Sequence, residues 1–368
     1  MTSRERVIRA IEYREPDHVP FAEHFWEDTL ERWYGEGLVR NTILHEHFDF
    51  DIIEMGIDAS PRFEVEVLHE EDEYRTIRDR FGYVAKMYRG KSRTLDYLSC
   101  AVSDKEQWPA VKDMFVIGDT GPARADDVAF PFRTSPVPSW DEVREKYRGL
   151  RSREKYILGS VYGPHEATWR FRGFTDTLMD LVLDPDFIVE IASTYTDFLL
   201  QVVGRCLDEG IRFDGLFLVE DLAGTRGMIF SPDLWRKIYK PMIKQIGIFL
   251  EKRGLHFWMH SCGNCEEIFP DLIECGLRVI NPLEVKSGLD VLGLREKYGT
   301  HLAFYGNIDV RALGQSEAET EREINRKIAA FSSEGGYIFH SDHSIPPEVG
   351  YDRYLFAIDC LRRYGKYR

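Results

Sequence analysis

The amino-acid sequence predicts an α/β fold, a single (β/α)8 barrel over residues 1–368, and three observations carry that expectation. Eight short apolar runs end in polar residues and are each followed by a helical pattern, the grammar of alternating strands and helices. The first halves of those runs are almost continuously apolar, which suits strands covered on both faces of a parallel sheet. The 368 residues would make two average domains, but barrels of this kind routinely exceed about 250 residues as one, and 43% hydrophobic with 30% charged residues supports a sizeable core.

In chain order the expected strands are VPFAEHF (19–25), FDIIEMGID (50–58), YILGSVYGP (156–164), DGLFLVED (214–221), LHFWMHSCG (255–263), RVINPLE (278–284), HLAFYGNID (301–309) and GYIFHSDHS (336–344). Helices fill the gaps, with recognisable ends. Thr2 and Glu5 form a capping box for the first. Ser231 and Pro232 begin a helix that closes on Gly254, with Pro241 breaking or kinking it. Ser316 and Glu319 open another that stops at Gly335 and Gly336. Residues 62–117 break the rhythm: apolar and polar residues alternate as in antiparallel hairpins, so this span reads as a β insertion after the second strand, overhanging one end of the barrel.

A net charge of −15 argues against nucleic acid, whose phosphates need a clustered basic surface. No apolar run approaches the roughly 18 residues that span a bilayer, and the first residues have helical periodicity, so the expectation is a cytoplasmic protein with no membrane partner. The six cysteines show no disulfide spacing, yet three of them fall between 262 and 275.

Chemistry in such barrels sits at the C-terminal strand ends. Those ends carry Glu23, His24, Asp58, Tyr162, Glu220, Asp221, His260, Cys262, Glu284, Asn307, Asp309, Asp342 and His343. In HFWMHSCGN (256–264) the side chains of His260 and Cys262 point the same way on an extended strand. Imidazole and thiolate are good zinc ligands, and a catalytic zinc keeps one position open; the alternative is a buried cysteine beside a hydrogen-bonded histidine. A third ligand is expected from Cys265, Glu220, Asp342 or His343, with Cys265 the poorer fit because CGNC turns away into a helix. Of Glu220 and Asp221, one enters the mouth and the other points away; Glu220 is the candidate acid, base or ligand, the bland reading being a pair with Arg226 or Lys240. Asp58 reads equally as a catalytic carboxylate or a helix cap, and with Glu220 and Tyr162 completes the candidate catalytic groups. His24, Phe25, Trp26 and Asn307 are the candidate substrate-binding residues, although core packing is the simpler role for aromatic side chains.

The opening RERVIRAIEYREPDHVPF, the turn GSVYGPHEAT followed by DLVLDP, the stretch IFSPDLWRKIYKP, the strand end HSCGN and the proline-rich turn before the last helix together resemble the uroporphyrinogen decarboxylase superfamily over essentially the whole chain. The resemblance implies one of two chemistries. Decarboxylases of the family need no cofactor and hold tetrapyrrole carboxylates with an arginine-rich segment after the first strand; here that stretch is FAEHFWEDTLERW, without the arginine pair, while Asp58 matches the family's central aspartate. Zinc-dependent methyltransferases of the family move a methyl group between a corrinoid protein and a thiol or other acceptor, using a His-x-Cys pair, matched by His260 and Cys262, and a distant cysteine, replaced here within HSDHSIPP by Asp342 or His343. The position of the prolines favours Asp342, coordination chemistry favours His343, and the prolines are given precedence. The expectation is therefore a zinc-dependent methyltransferase with a corrinoid co-substrate, a small-molecule substrate, a corrinoid protein as partner and a homodimer as assembly. A decarboxylase-like lyase and a non-catalytic binding barrel are the alternatives.

Overall fold

Apolar residues at successive positions can be buried in a strand only if both of its faces are covered. The computed structural model, which describes residues 1–90, 95–118, 121–126, 136–331 and 334–367, arranges the chain in that way. Its strands are β1 (Ile52–Ile57), β2 (Glu66–Glu70), β3 (Tyr74–Arg78), β4 (Val84–Tyr88), β5 (Leu95–Ser99), β6 (Tyr156–Tyr162), β7 (Gly215–Val219), β8 (His256–His260), β9 (Val279–Asn281), β10 (Ala303–Tyr305) and β11 (Tyr337–Ile338). The central sheet runs β11-β10-β9-β8-β7-β6-β1 with every neighbouring pair parallel, and Ala125–Asp126 adds a short antiparallel pairing to the end of β1. The fold is α/β with a mostly parallel central sheet.

Seven of the eight expected strands are these. The eighth, residues 19–25, is no ladder: it makes isolated parallel bridges, Phe21 to Phe339 and Phe25 to Ile345, and accepts at Phe21 O the Asp51 N–H. Pro20 has no N–H to give, which limits this segment to single bridges. Residues 66–99 form a separate four-stranded antiparallel sheet, β2-β3-β4-β5, within the span where hairpins are expected; residues 91–94 of that span lie outside the described ones.

The helix ends follow their capping chemistry. Thr2 and Glu5 make the reciprocal box of helix Ser3–Ile11. Ser231 caps Pro232–Ile238, and Pro241, inside the first turn of the next helix, Lys240–Glu251, marks the break. Ser316 accepts the Glu319 N–H at the start of Glu317–Ala329. One helix, Pro185–Asp208, is long and apolar enough by composition to cross a membrane, but 56% of its apolar window is buried inside the protein, including Ile188, Ile191, Leu199 and Val202.

Helix Lys240–Glu251 can approach the turn after Glu274 because residue 247 is glycine: a Cβ there would lie 1.8 Å from the Cys275 carbonyl oxygen, a backbone atom that cannot swing aside. Gly247→Ala is expected to destabilise the fold by about 1–3 kcal/mol through forced displacement of the helix, seen as a lower denaturant midpoint with an unchanged slope.

Candidate functional site

The C-terminal ends of β6 to β11, with the loops that follow them, lie along one edge of the parallel sheet, here called the mouth. His260 is the last residue of β8 and shares a strand face with His256 and Trp258. Its Nδ1 lies 2.6 Å from Asn281 Oδ1, and the Asn281 amide nitrogen donates to Tyr305 O at 2.9 Å, which fixes the orientation of the amide. A carbonyl-type oxygen only accepts, so His260 carries a proton on Nδ1, and its neutral form is the tautomer with the lone pair on Nε2. That Nε2 lies 3.4 Å from Cys262 Sγ and 3.5 Å from Asp221 Oδ1.

Cys262 is held by the main chain. Its N–H donates to Asp221 Oδ1 at 2.8 Å, and the next N–H, of Gly263, donates to Glu284 Oε2 at 3.1 Å. Gly263 has φ +75°, and a Cβ there would meet the Ala223 carbonyl at 2.5 Å, so only glycine lets this loop close on its neighbour. Two overlapping sets of donor atoms result, Asp221, His260 and Cys262, and Cys262, Glu284 and His343, each within 4.8 Å of one another. Ligands on a tetrahedral zinc with bonds of 2.0–2.3 Å lie about 3.3–3.8 Å apart, and the His260, Cys262 and Asp221 distances match that spacing. Burial pushes the Cys262 thiol far above its ordinary range, and the Asp221 and Glu284 carboxylates add to the shift. A cation among these groups offsets both effects, so the donor set fits a divalent metal.

The structure corrects four sequence expectations. Glu220 is fully buried and points away from the mouth: Oε1 accepts the His165 N–H and Oε2 the Glu166 N–H, at 2.9 Å each, so it caps the helix Pro164–Arg172. It pairs with neither Arg226 nor Lys240; burial lifts its carboxyl to about 8. Asp342 takes Val310 N–H on Oδ1 and Val285 N–H on Oδ2, joining two loops, and does not enter the donor set; His343 does. Asp58 is buried with Oδ1 on Ser60 and Oδ2 on Arg62 at 2.7 Å, an internal ion pair. Asn307, also buried, accepts from Val291 N–H and donates to Leu283 O and Leu289 O, and so shapes loops instead of meeting a ligand.

Tyr162 lies under the Arg170 guanidinium, 4.0 Å from its ring centre, and burial pushes its hydroxyl up to about 12. Phe25 packs on Trp33, Phe48 and Tyr354 and belongs to the core. Trp26 stacks on His343 with ring centres 5.5 Å apart, beside the donor set. His24 bonds His340 Nε2 and Glu54 Oε1, at 2.9 and 2.8 Å. Asn281, Glu54 and His340 have no role in the sequence reading, and Asp221 and Glu284 enter it as strand-end residues without being chosen as donors. The signal for Asp221 was available: Val219 pairs with His260, so two-residue alternation puts Asp221 on the His260 side and Glu220 on the helix side.

A family model described as uroporphyrinogen decarboxylase (URO-D) matches residues 133–364, nearly two thirds of the chain. A uroporphyrinogen decarboxylase of Vesicomyosocius okutanii is 27% identical over 78 residues, 21% of this chain and 23% of that one. Another, of Trichlorobacter lovleyi, is 32% identical over 94 residues, 23% of this chain and 28% of that one. The chain thus matches about a quarter of the length of these curated relatives. Among solved structures, a methyltransferase from Methanosarcina mazei superposes over 99% of both chains with a TM-score of 0.65 at 14% identity, a likeness of fold.

The geometry separates donors from scaffolding in a measurable way. Cys262→Ala or His343→Ala is expected to strip bound metal from the purified protein, whereas Glu220→Gln and Asp342→Asn leave the metal content unchanged and lower thermal stability instead. Asn281→Ala, which frees the His260 ring, should weaken metal affinity about 10–100-fold in a competitive chelator titration.

Proposed function

The chain belongs to the uroporphyrinogen decarboxylase family, and on that premise we propose that it is a metal-dependent methyltransferase moving a methyl group between a corrinoid co-substrate and a thiol or other small acceptor. On this reading the central sheet closes into a single (β/α)8 barrel, residues 66–99 overhang its mouth, and a corrinoid protein delivers the co-substrate there. The observation that carries the reading is the donor set around Cys262 Sγ, with His260 Nε2 at 3.4 Å and its tautomer fixed by Asn281.

Cys262 is common to two donor sets that would hold zinc or a similar divalent ion, one with His260 and Asp221 and the other with Glu284 and His343. Such an ion supplies Lewis acidity and an open position that favours the deprotonated form of the acceptor. The chain does the rest by placement. Asn281 selects the His260 tautomer whose lone pair is on Nε2, and Trp26 covers one face of His343. Lys286, 3.1 Å from Glu284 Oε1, lowers the negative charge that the acceptor would otherwise meet.

The family's decarboxylase chemistry is the weaker reading. It calls for a free carboxylate at position 58 and for paired arginines after residue 25, but the Asp58 oxygens are engaged by Ser60 and Arg62, and the segment reads FAEHFWEDTLERW.

The purified protein is expected to carry about one zinc or similar divalent ion per chain and to change the visible spectrum of free methylcobalamin or cob(I)alamin when a methyl acceptor or donor is added. Well under a tenth of an equivalent after growth with added zinc, together with porphyrin formation from uroporphyrinogen at ordinary turnover, would reverse the ranking of the two chemistries.

A further inference from the structure

Arg62, Arg124 and Arg205 line a cleft of about 100 Å3, with Ile117 and Trp140 in its walls. No carboxylate lines it among the described residues. Three parts of the chain bring the arginines together. Arg62 lies in the loop after β1, and Arg124 directly precedes Ala125–Asp126, which pairs with the end of β1. Arg205 stands near the end of helix Pro185–Asp208, and Trp140 opens helix Trp140–Arg151.

The main chain uses only part of what two of these side chains can donate. Arg62 gives Nε–H to Asp58 Oδ2 at 2.7 Å, one Nη1–H to Pro122 O at 3.3 Å and one Nη2–H to Ala123 O. Arg124 gives its two Nη1–H groups to Asp58 O and Ser60 O, at 3.0 Å each, and one Nη2–H to Val116 O at 3.3 Å. A guanidinium carries five N–H donors, so two remain on each without an acceptor among the described residues. Arg124 is 7% exposed and meets carbonyl oxygens alone. Burial, and then the neighbouring Arg62, pulls its guanidinium down to about 10.

The positive charge is also unmatched around the cleft. Asp58 is shared by Arg62 and Arg80, and Glu209 by Arg205 and Arg144. Arg144 reaches Asp141 as well, while Asp126 is matched by Lys146. Five arginines thus share the three carboxylates Asp58, Glu209 and Asp141, an excess of two positive charges in a chain whose net charge is −15.

We propose that this cleft is a binding site for a tetrahedral oxyanion, a phosphate or sulfate group, sharing no residue with the donor sets around Cys262. Such an ion only accepts hydrogen bonds, offers several oxygens at once and suits the planar fork of arginine, which takes two of those oxygens together. It supplies acceptors for the idle N–H groups and the negative charge that Arg124 lacks. Once bound, it ties the loop after β1 to the segment before Ala125 and to helix Pro185–Asp208, so it stabilises the folded chain. The site needs neither the metal nor the methyltransferase reading, and its donors serve a free ion and the phosphoryl group of a larger molecule equally.

The test is a calorimetric titration of the metal-loaded protein with inorganic phosphate, sulfate and phenyl phosphate. One site per chain is expected, and phosphate should raise the thermal midpoint where sodium chloride of equal ionic strength does not. Arg205→Gln, a change on a helix surface that leaves Glu209 with Arg144, should weaken phosphate about 10-fold or more, and Arg124→Gln should weaken it further, both with metal content unchanged. If Arg124→Gln does not fold, Arg205→Gln decides alone. Cys262→Ala, stripped of metal, should bind phosphate as the wild type does. Tighter binding of phenyl phosphate than of either inorganic ion supports the site and assigns it to a phosphorylated organic ligand; equal or weaker binding supports it as a site for the free ion. No heat and no stabilisation from any of the three, an equal effect of chloride, phosphate binding at full strength in Arg205→Gln, or its loss in Cys262→Ala overturns the proposal.

Discussion

A parallel sheet packed on both faces leaves its polar groups a single exit, the C-terminal ends of its strands, and that constraint organises everything at the mouth. Each strand there gives way to a loop or helix whose first N–H groups have no partner in the sheet. Buried carboxylates answer that need: Glu220 takes two N–H groups at the start of Pro164–Arg172, Asp342 takes those of Val285 and Val310, and Glu23 takes those of His24 and Ser341. Asn307 does the same for Val291. Asp221 and Glu284 take loop N–H groups as well, of Cys262 and Gly263, but also lie within the donor sets around Cys262 Sγ.

That division explains what could be read from the sequence and what could not. Periodicity and caps located seven strands and the main helix starts, because apolar runs and capping residues act within a few positions of each other. The eighth strand was overdrawn for a local reason that was also visible, since a proline inside VPFAEHF removes a ladder donor. His260 and Cys262 were legible because same-face spacing on one strand is a property of that strand alone. Glu220 and Asp342 were misjudged because the choice between a ligand and a cap depends on which backbone N–H lies opposite, and those belong to segments 32 to 57 residues away. Alternation favoured Asp221, as the Val219 to His260 pairing makes plain, but it works only once the last paired residue of the strand is known. Of the two candidates in HSDHSIPP, His343 lies in a donor set with Cys262 and Glu284, whereas Asp342 accepts the N–H groups of Val285 and Val310.

The mouth gathers negative charge around one thiol. Asp221 and Glu284 each lie in a donor set with Cys262, and the chain carries a net charge of −15. Such a cluster is costly without cations, and the imidazoles meet it in two ways. His260 donates its Nδ1 proton to Asn281, whereas His24, beside Glu54, is raised above the usual imidazole range in spite of burial.

The loops bearing Asp221 and Cys262 are latched along their backbones: Leu222 N–H reaches Ser261 Oγ, Cys262 N–H reaches Asp221 Oδ1, and Asn264 N–H reaches Gly224 O, while Gly263 allows the two chains to touch. A latch of this kind makes the two loops one cooperative opening unit, whose amides surrender their protection from solvent exchange together. Much of the ordering that a bound ion would otherwise impose on those side chains is completed when the chain folds. Affinity at such a site depends less on adding donors than on how seldom the latch comes undone.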